Sequence, residues 1–271
     1  MDYEPVVKRF FEDLGYQVHK IPEDDAESPD FFISDSLSSY VLELKTKFPS
    51  IEEVEKRRRI LDSGEIHNIH ELVIGKNTLS GIIKKAGDQL SRYNDENVLR
   101  IVWLLATGHV AEPRMLQFEA TLYGSAPIVS SQGTGDSYFF YNSDFYRFRE
   151  TIDGAIVSTE SDPKLLLNPL SPRYAQLKTS SLTQHLGKRV VDPIEIESRG
   201  KAFIVDSDVD RTDKEAVLSY LRKKYELEDM MNLTMTYLSG TILLHDPPDG
   251  VLTPAPVDGR PASARRDSAR K

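Results

Sequence analysis

Cysteine is absent from the 271 residues, so neither a disulfide nor a thiolate metal site can be built. No apolar run approaches the roughly 20 residues needed to cross a bilayer. The N-terminus has no signal-peptide layout and opens directly on an amphipathic pattern, Val6, Val7, Phe10 and Phe11. These features set the expectation of a cytoplasmic protein with no membrane partner. A positive charge excess is also missing. The formal net charge is −9, which does not suit a protein coated by nucleic acid. It leaves room for a nucleic-acid enzyme, because a carboxylate metal site is itself acidic and binding needs only one basic face. There is no Gly-x-Ser-x-Gly and no cysteine nucleophile, so the familiar hydrolase triads find no support. Gly133 and Gly135 read as a turn, since neither a Walker lysine nor a dinucleotide-binding context follows.

A hydrophobic fraction of 39% is that of a globular chain. Helical spacing of Val7, Phe11 and Leu14 predicts a first helix over residues 3–14, with Gly15 as its stop. Short strands follow over 15–21, from Asp30 to Ser34, and over 39–47, with an acidic loop between the first two. A charged helix is predicted over 50–62, irregular chain over 63–76 and a helix over 78–93. A buried strand at 101–106, a helix at 114–123 and a strand at 126–129 complete an α-β-β-β-α-β-α-β order. That order predicts an α/β fold with a mixed central sheet flanked by helices. Further on come a strand at 138–141, a helix at 144–150, a proline-rich turn at 168–174, a strand at 201–205, a helix at 214–225 and a strand at 238–244. The change of pattern sets expected regions of 1–165, a smaller α+β accessory region at 166–245, and a tail at 246–271 with the composition of disordered chain.

The residues that carry chemistry cluster early. Pro29 and Asp30 precede, by a gap of twelve residues, Glu43-Leu44-Lys45. Side chains alternate along a strand, so Glu43 and Lys45 share one face while Leu42 and Leu44 take the other. Asp30 opens the neighbouring strand and can meet Glu43 across the pair. Two carboxylates offer hard oxygen ligands of the kind Mg²⁺ accepts alongside water. A lysine beside them can stabilise charge on a phosphate and its attacking water. Glu4 falls on the stripe of Val7 and Phe11, where a carboxylate needs a partner; a metal is one, and a first-turn acid favouring the helix dipole is the plainer alternative. Gln89 and Tyr93 are predicted at i and i+4 on the inward face of the 78–93 helix.

This arrangement resembles the PD-(D/E)xK nuclease superfamily, and Gln89 with Tyr93 resembles the Q-x-x-x-Y motif of its RecB-type branch. The resemblance covers roughly residues 3–106. It implies a restriction-endonuclease-like core, αβββαβ, that hydrolyses phosphodiester bonds with Mg²⁺ or Mn²⁺. Asp30 and Glu43 would bind metal, with Glu4 as a further ligand. Lys45 would be catalytic, and Gln89 and Tyr93 would orient the site. It implies DNA as a partner more than RNA, and by analogy a place in a defence or restriction system. Residues 166–245 would then serve oligomerisation or a partner protein.

Other charged groups have ordinary readings beside functional ones. Lys47, Lys84, Lys85 and Arg92 could flank a phosphate path or be solvated. Lys56, Arg57, Arg58 and Arg59 read equally as a DNA-contacting patch and a solvated helix face. Arg173, Lys178, Lys188 and Arg189 read as a basic surface or a proline-rich connection. His67 and His70 lack a third ligand nearby. Two alternatives to an active enzyme stay open: a nuclease-fold binding or scaffold module with weak or partner-dependent cleavage, and an unrelated α/β domain with Glu43 and Lys45 as a surface pair.

Overall fold

The apolar stripe read from the first residues is buried in the computed structural model, with Val7 and Phe11 at the centre of helix α1 (Glu4–Asp13). The structure describes residues 2–22, 28–72, 75, 77–93, 95–233 and 237–242. The acidic residues 23–27 and the tail 246–271 lie outside it. After α1 come β1 (Gln17–Lys20), β2 (Phe31–Ser34), β3 (Ser39–Lys47), α2 (Ile51–Asp62), β4 (His67–Leu72), α3 (Asn77–Leu90), β5 (Val98–Ala106), α4 (Ala111–Tyr123), β6 (Ala126–Ser130) and β7 (Gly133–Tyr138). The chain continues through α5 (Asp144–Arg147), β8 (Gly154–Ser158), β9 (Lys164–Leu167), α6 (Tyr174–Thr179), α7 (Ser181–Leu186), a 3₁₀ turn (Gly187–Arg189) and β10 (Val190–Val191). It then runs through α8 (Pro193–Ser198), β11 (Ala202–Ile204), α9 (Lys214–Tyr225), β12 (Met231–Asn232) and β13 (Tyr237–Ile242).

The fold is α/β. Seven strands form a mixed sheet in the order β1-β2-β3-β5-β8-β9-β10. β1, β2 and β3 are an antiparallel meander, and β5 and β8 then add in parallel to β3. β5 explains why its sequence is apolar almost throughout. Val98, Val102 and Leu104 face a core shared with α3 and α4, whereas Leu99, Ile101, Trp103 and Leu105 face a second core shared with α1, α6 and α7. A strand covered by helices on both faces needs no polar alternation. Phe10 and Phe11 of α1 meet Trp103 edge-on, at ring-centroid distances of 5.1 and 5.9 Å, the favoured geometry for aromatic quadrupoles.

Several sequence expectations change here. The stretch read as irregular over 63–76 contains β4, which pairs with β13 as a separate two-stranded ribbon. The turn read at Gly133 and Gly135 is part of β7, between β6 and β11 in a four-stranded sheet. A side chain at Gly135 would press on the Phe203 ring and the Lys201 carbonyl of the neighbouring segment, so its glycine serves a close approach. Tyr138 ends β7, and Phe139 leaves it with φ of 61°. The expected boundary near residue 165 falls inside β9. That strand pairs with β8 on one side and β10 on the other, so the main sheet runs across it. No helix among the described residues is long and apolar enough to cross a membrane.

Gly124 closes α4 in the left-handed region, φ 57°. A Cβ there would run into the Tyr141 carbonyl and lie 2.7 Å from the Ser143 nitrogen. Gly124→Ala combines left-handed strain with a backbone clash and should cost roughly 2–4 kcal/mol. Urea unfolding measures it, and an unchanged midpoint would contradict the packing described.

Candidate functional site

Strand alternation places the site. Val41 of β3 faces the α3 core while Tyr40 and Leu42 face the α1 core. Glu43 and Lys45 therefore point towards α3, with Leu42 and Leu44 packed behind them. Phe31 of β2 pairs with Leu42. Asp30, one residue before β2, continues that register and comes to Glu43, and its Oδ2 accepts the Leu44 amide at 2.7 Å.

Lys45 links the group together. Its Nζ donates to Glu43 Oε1 at 2.5 Å and to Gln89 Oε1 at 2.6 Å. Gln89, near the C-terminal end of α3, turns its Nε2 to the Ser28 carbonyl at 3.2 Å. It thereby ties the lysine to the segment that leads into Asp30. Asp30, Glu43, Lys45 and Gln89 are thus one connected group. The charges sit in partial burial: the Glu43 side chain is 2% exposed and that of Lys45 24%.

Burial dominates the titration of the two acids. It pushes Glu43 up to about 7, with the nearby Asp30 charge adding to the rise and Lys45 opposing it. Burial also raises Asp30, against the Leu44 amide and the Lys45 charge. Glu43 Oε2 is buried with no donor. Its carboxylate neighbour, once ionised, can only accept, so a shared proton or a cation is what relieves the pair. This donor set suits a hard divalent ion, for which one or two carboxylates and several waters suffice.

The sign of the linkage follows. A carboxyl whose folded value lies above its unfolded one binds extra protons in the native state. Its contribution favours folding at low pH and is lost as pH rises from about 4.5 through about 7. Without divalent ions, Glu43→Gln should therefore gain stability relative to the parent across that window, on the scale of about 1.4 kcal/mol per unit of pKa shift. Parallel thermal melts in chelator from pH 5 to 8 measure it; a constant difference between the two proteins would remove this reading of the pair.

The other expected residues sit differently. α3 ends at Leu90, so Tyr93 does not continue its helical face from Gln89. Instead its ring packs on Phe32 at a centroid distance of 6.2 Å, and its carbonyl accepts from Arg100. Tyr93 supports the core and makes no bond to Lys45 or Gln89. Glu4 lies on the α1 side of the sheet and takes Lys20 as its partner, Nζ to Oε2 at 2.5 Å. Its charge still acts on Asp30. Among the described residues no three His, Asp or Glu side chains gather as a ready metal cage. The sequence reading missed Lys20, a lone lysine in a four-residue strand with no pattern to mark it.

The remaining basic groups are largely engaged or solvated. In α2, Arg58 pairs with Asp62 and Arg59 with Glu55, both at 3.6 Å and exposed; such pairs contribute little. Arg173 is bound to buried Asp153, and Lys178 to Asp192 and Glu195. Lys188, Arg189, Lys84 and Lys85 are exposed, and Lys47 is half-buried at the end of β3. His67 stands against His109, ring centroids 5.8 Å apart, while the His70 side chain lies outside the described atoms. A cavity of about 960 Å³, walled by Ser80, Tyr146, Arg147 and Lys214 among others, is lined by none of Glu4, Asp30, Glu43, Lys45, Gln89 and Tyr93. Comparison of the chain with protein-family models, curated proteins and solved structures finds no match.

Proposed function

We propose that this chain is a divalent-metal-dependent nuclease that hydrolyses phosphodiester bonds, in DNA more than in RNA. On this reading the segment from α1 to β5 is a restriction-endonuclease-like core. One observation carries the reading: Asp30, Glu43, Lys45 and Gln89 converge on one face of the sheet, around a buried Glu43 oxygen that has no donor. Mg²⁺ or Mn²⁺ held by Asp30 and Glu43 would offset charge on phosphate oxygens and acidify water. Lys45, fixed from two sides, keeps its ammonium where negative charge grows during attack on a phosphate. Gln89 prevents that ammonium from folding wholly onto Glu43. Leu42 and Leu44 anchor β3 from behind, and rigid placement of this kind is what a catalytic constellation requires.

The superfamily resemblance extends the proposal to a defence or restriction role in the cytoplasm. Residues 166–245, with exposed Lys188 and Arg189, would provide the contact with a second copy or a partner protein. A second reading has its own support. Glu4 is held by Lys20, so the carboxylates are not drawn into one cage. That favours a nuclease-fold module whose cleavage is weak or needs a partner.

Incubation with supercoiled, linear and single-stranded DNA and with RNA, in Mg²⁺ or Mn²⁺, separates these readings. Cleavage that needs the metal and disappears in Asp30→Asn, with the thermal melt retained, supports the enzyme. Binding without cleavage supports the module. Neither binding nor cleavage ends both.

A further inference from the structure

The cavity of about 960 Å³ lies at the opposite end of α3 from Gln89, and α3 lines it with Asn77 and Ser80 of its first turn. Its volume is that of a small-molecule site, roughly 300–1,000 Å³, and far exceeds a lone phosphate. Two basic side chains line it with donors left over. Arg147 is 56% exposed, and among the described residues it bonds through Nη1 alone, to the Ser80 hydroxyl at 3.3 Å and Asp144 at 3.4 Å. Asp144 is fully buried and accepts the Ser80 hydroxyl at 2.8 Å, so the guanidinium is anchored from behind. Lys214, at the start of α9, is exposed, with its ammonium 4.6 Å from the centre of the Tyr141 ring. A cation held by a ring face keeps its N–H donors. Tyr141 is itself 37% exposed. The segment that presents it is tightly constrained: Phe139 and Asn142 have φ of 61° and 47°, unusual for side-chain-bearing residues. Amides of Phe139, Phe140 and Tyr141 fix this segment to the Tyr123 and Gly124 carbonyls at the end of α4. Buried Arg211 ties it to the facing wall, donating to the carbonyls of Phe139, Val205, Ser207 and Val209 and lying 3.5 Å from the Tyr146 ring centre. The two acids of that wall have donors of their own: Asp208 accepts the Tyr146 hydroxyl, and Asp210 the Thr212 amide and hydroxyl.

We propose that this cavity binds a nucleoside phosphate, with Arg147 and Lys214 taking the phosphate and Tyr141 stacking on the base. An anion alone would engage the two cations and leave most of the space and the exposed ring unused. A guanidinium with free N–H groups matches phosphate oxygens in geometry and charge. An exposed aromatic ring gives a base a stacking surface, and the amides of Asn77 and Asn142, both on the cavity wall, can donate to or accept from its polar edge. A free nucleotide and the 5′-phosphorylated end of a strand present this same chemistry. The site shares no residue with Asp30, Glu43, Lys45 and Gln89 and needs no divalent ion, so it does not rest on the nuclease reading.

Calorimetric titration of the full chain in chelator at low salt tests this, with 5′-AMP, GMP, CMP and UMP, their nucleosides and inorganic phosphate as probes. At least one nucleotide should bind one-to-one with Kd below about 1 mM, at least about tenfold tighter than its nucleoside or phosphate. Arg147→Gln and Tyr141→Ala should each weaken that binding by at least about tenfold, as expected for a charge-assisted bond and a stacked base. Lys214→Gln should weaken it by about threefold. Tyr141 and Lys214 are exposed, so their variants keep the test valid where Arg147→Gln disturbs Asp144 and the fold. Asp30→Asn should bind like the parent. A 5′-phosphorylated tetranucleotide that binds more tightly than the best mononucleotide assigns the site to a strand end, and one that binds more weakly assigns it to a free nucleotide. No binding of any nucleotide, binding no tighter than phosphate, or binding indifferent to Tyr141→Ala and Lys214→Gln overturns the proposal. Binding lost in Asp30→Asn also overturns it, because the nucleotide then sits at the Asp30 group, a result that leaves the nuclease reading standing.

Discussion

If the chain is the nuclease proposed, Lys45→Met should lower Mg²⁺-dependent cleavage by roughly two to three orders of magnitude, the usual cost of deleting a preorganised group that faces developing charge. Methionine retains most of the stem and its packing and removes only the ammonium. Two effects would follow, and pH separates them. The first is lost stabilisation of charge in the transition state, which higher pH does not restore. The second acts through Glu43. Lys45 opposes the rise that burial forces on Glu43, so without the lysine Glu43 holds its proton to still higher pH. At neutral pH fewer molecules then present an ionised ligand, and this share of the deficit should recover as pH rises towards 9. A deficit that remains large at pH 9 assigns Lys45 to the transition state. Full recovery assigns it to keeping Glu43 charged. A variant within threefold of the parent at every pH would remove Lys45 from the chemistry. Gln89→Leu should act in the same direction but more weakly, because it unties the ammonium without deleting it.

The parts of this site that could be read from sequence are those fixed by local rules. Alternation along β3 is enough to place Glu43 and Lys45 on one face, and the short loop to β2 brings Asp30 beside them. Gln89 was within reach because it lies near the end of a helix with a strong apolar stripe, Leu79, Ile83 and Ala86. Tyr93 was misplaced because Ser91 and Arg92 give no stop signal, and the helix ends where the chain turns back to β5. Long-range pairing hid the rest. β4 finds its partner in β13, far along the chain, so its own short sequence could not identify it as a strand. β8, α6, α7 and α8 run for five or six residues, too few to establish a period. Gly135 reads as a turn until the neighbouring Phe203 shows what a side chain would strike. Lys20 and Glu4 meet through the packing of α1 on the sheet, a contact no local pattern encodes.

A chain ended at residue 165 should fail to fold cooperatively, and the reason lies in where its core comes from. Such an end cuts β9 and removes β10. It also removes Leu177, Leu182, Ile204, Val217, Leu221 and Met230, all essentially inaccessible to solvent. Full burial of six such side chains contributes roughly 10–20 kcal/mol, comparable to the about 5–15 kcal/mol by which whole domains are stable. Polar anchors go with them. Asp153, just before β8, accepts from the Arg100 amide at 2.8 Å, the Ser171 hydroxyl at 2.5 Å and Arg173 Nε at 2.9 Å. Asn168 donates to the Phe145 and Ile152 carbonyls. Truncation would leave the Asp153 charge buried without its arginine, a cost of about 3–5 kcal/mol for one broken buried pair. The point variant Arg173→Ala isolates that last contribution within the full chain and should lower stability by a similar amount. Scanning calorimetry and near-ultraviolet circular dichroism read both. A sharp transition with native-like aromatic signal from residues 1–165 would mean that the part holding Asp30, Glu43, Lys45 and Gln89 is self-sufficient. The later strands and helices would then be additions to a finished domain and not part of the framework that holds β3 in place.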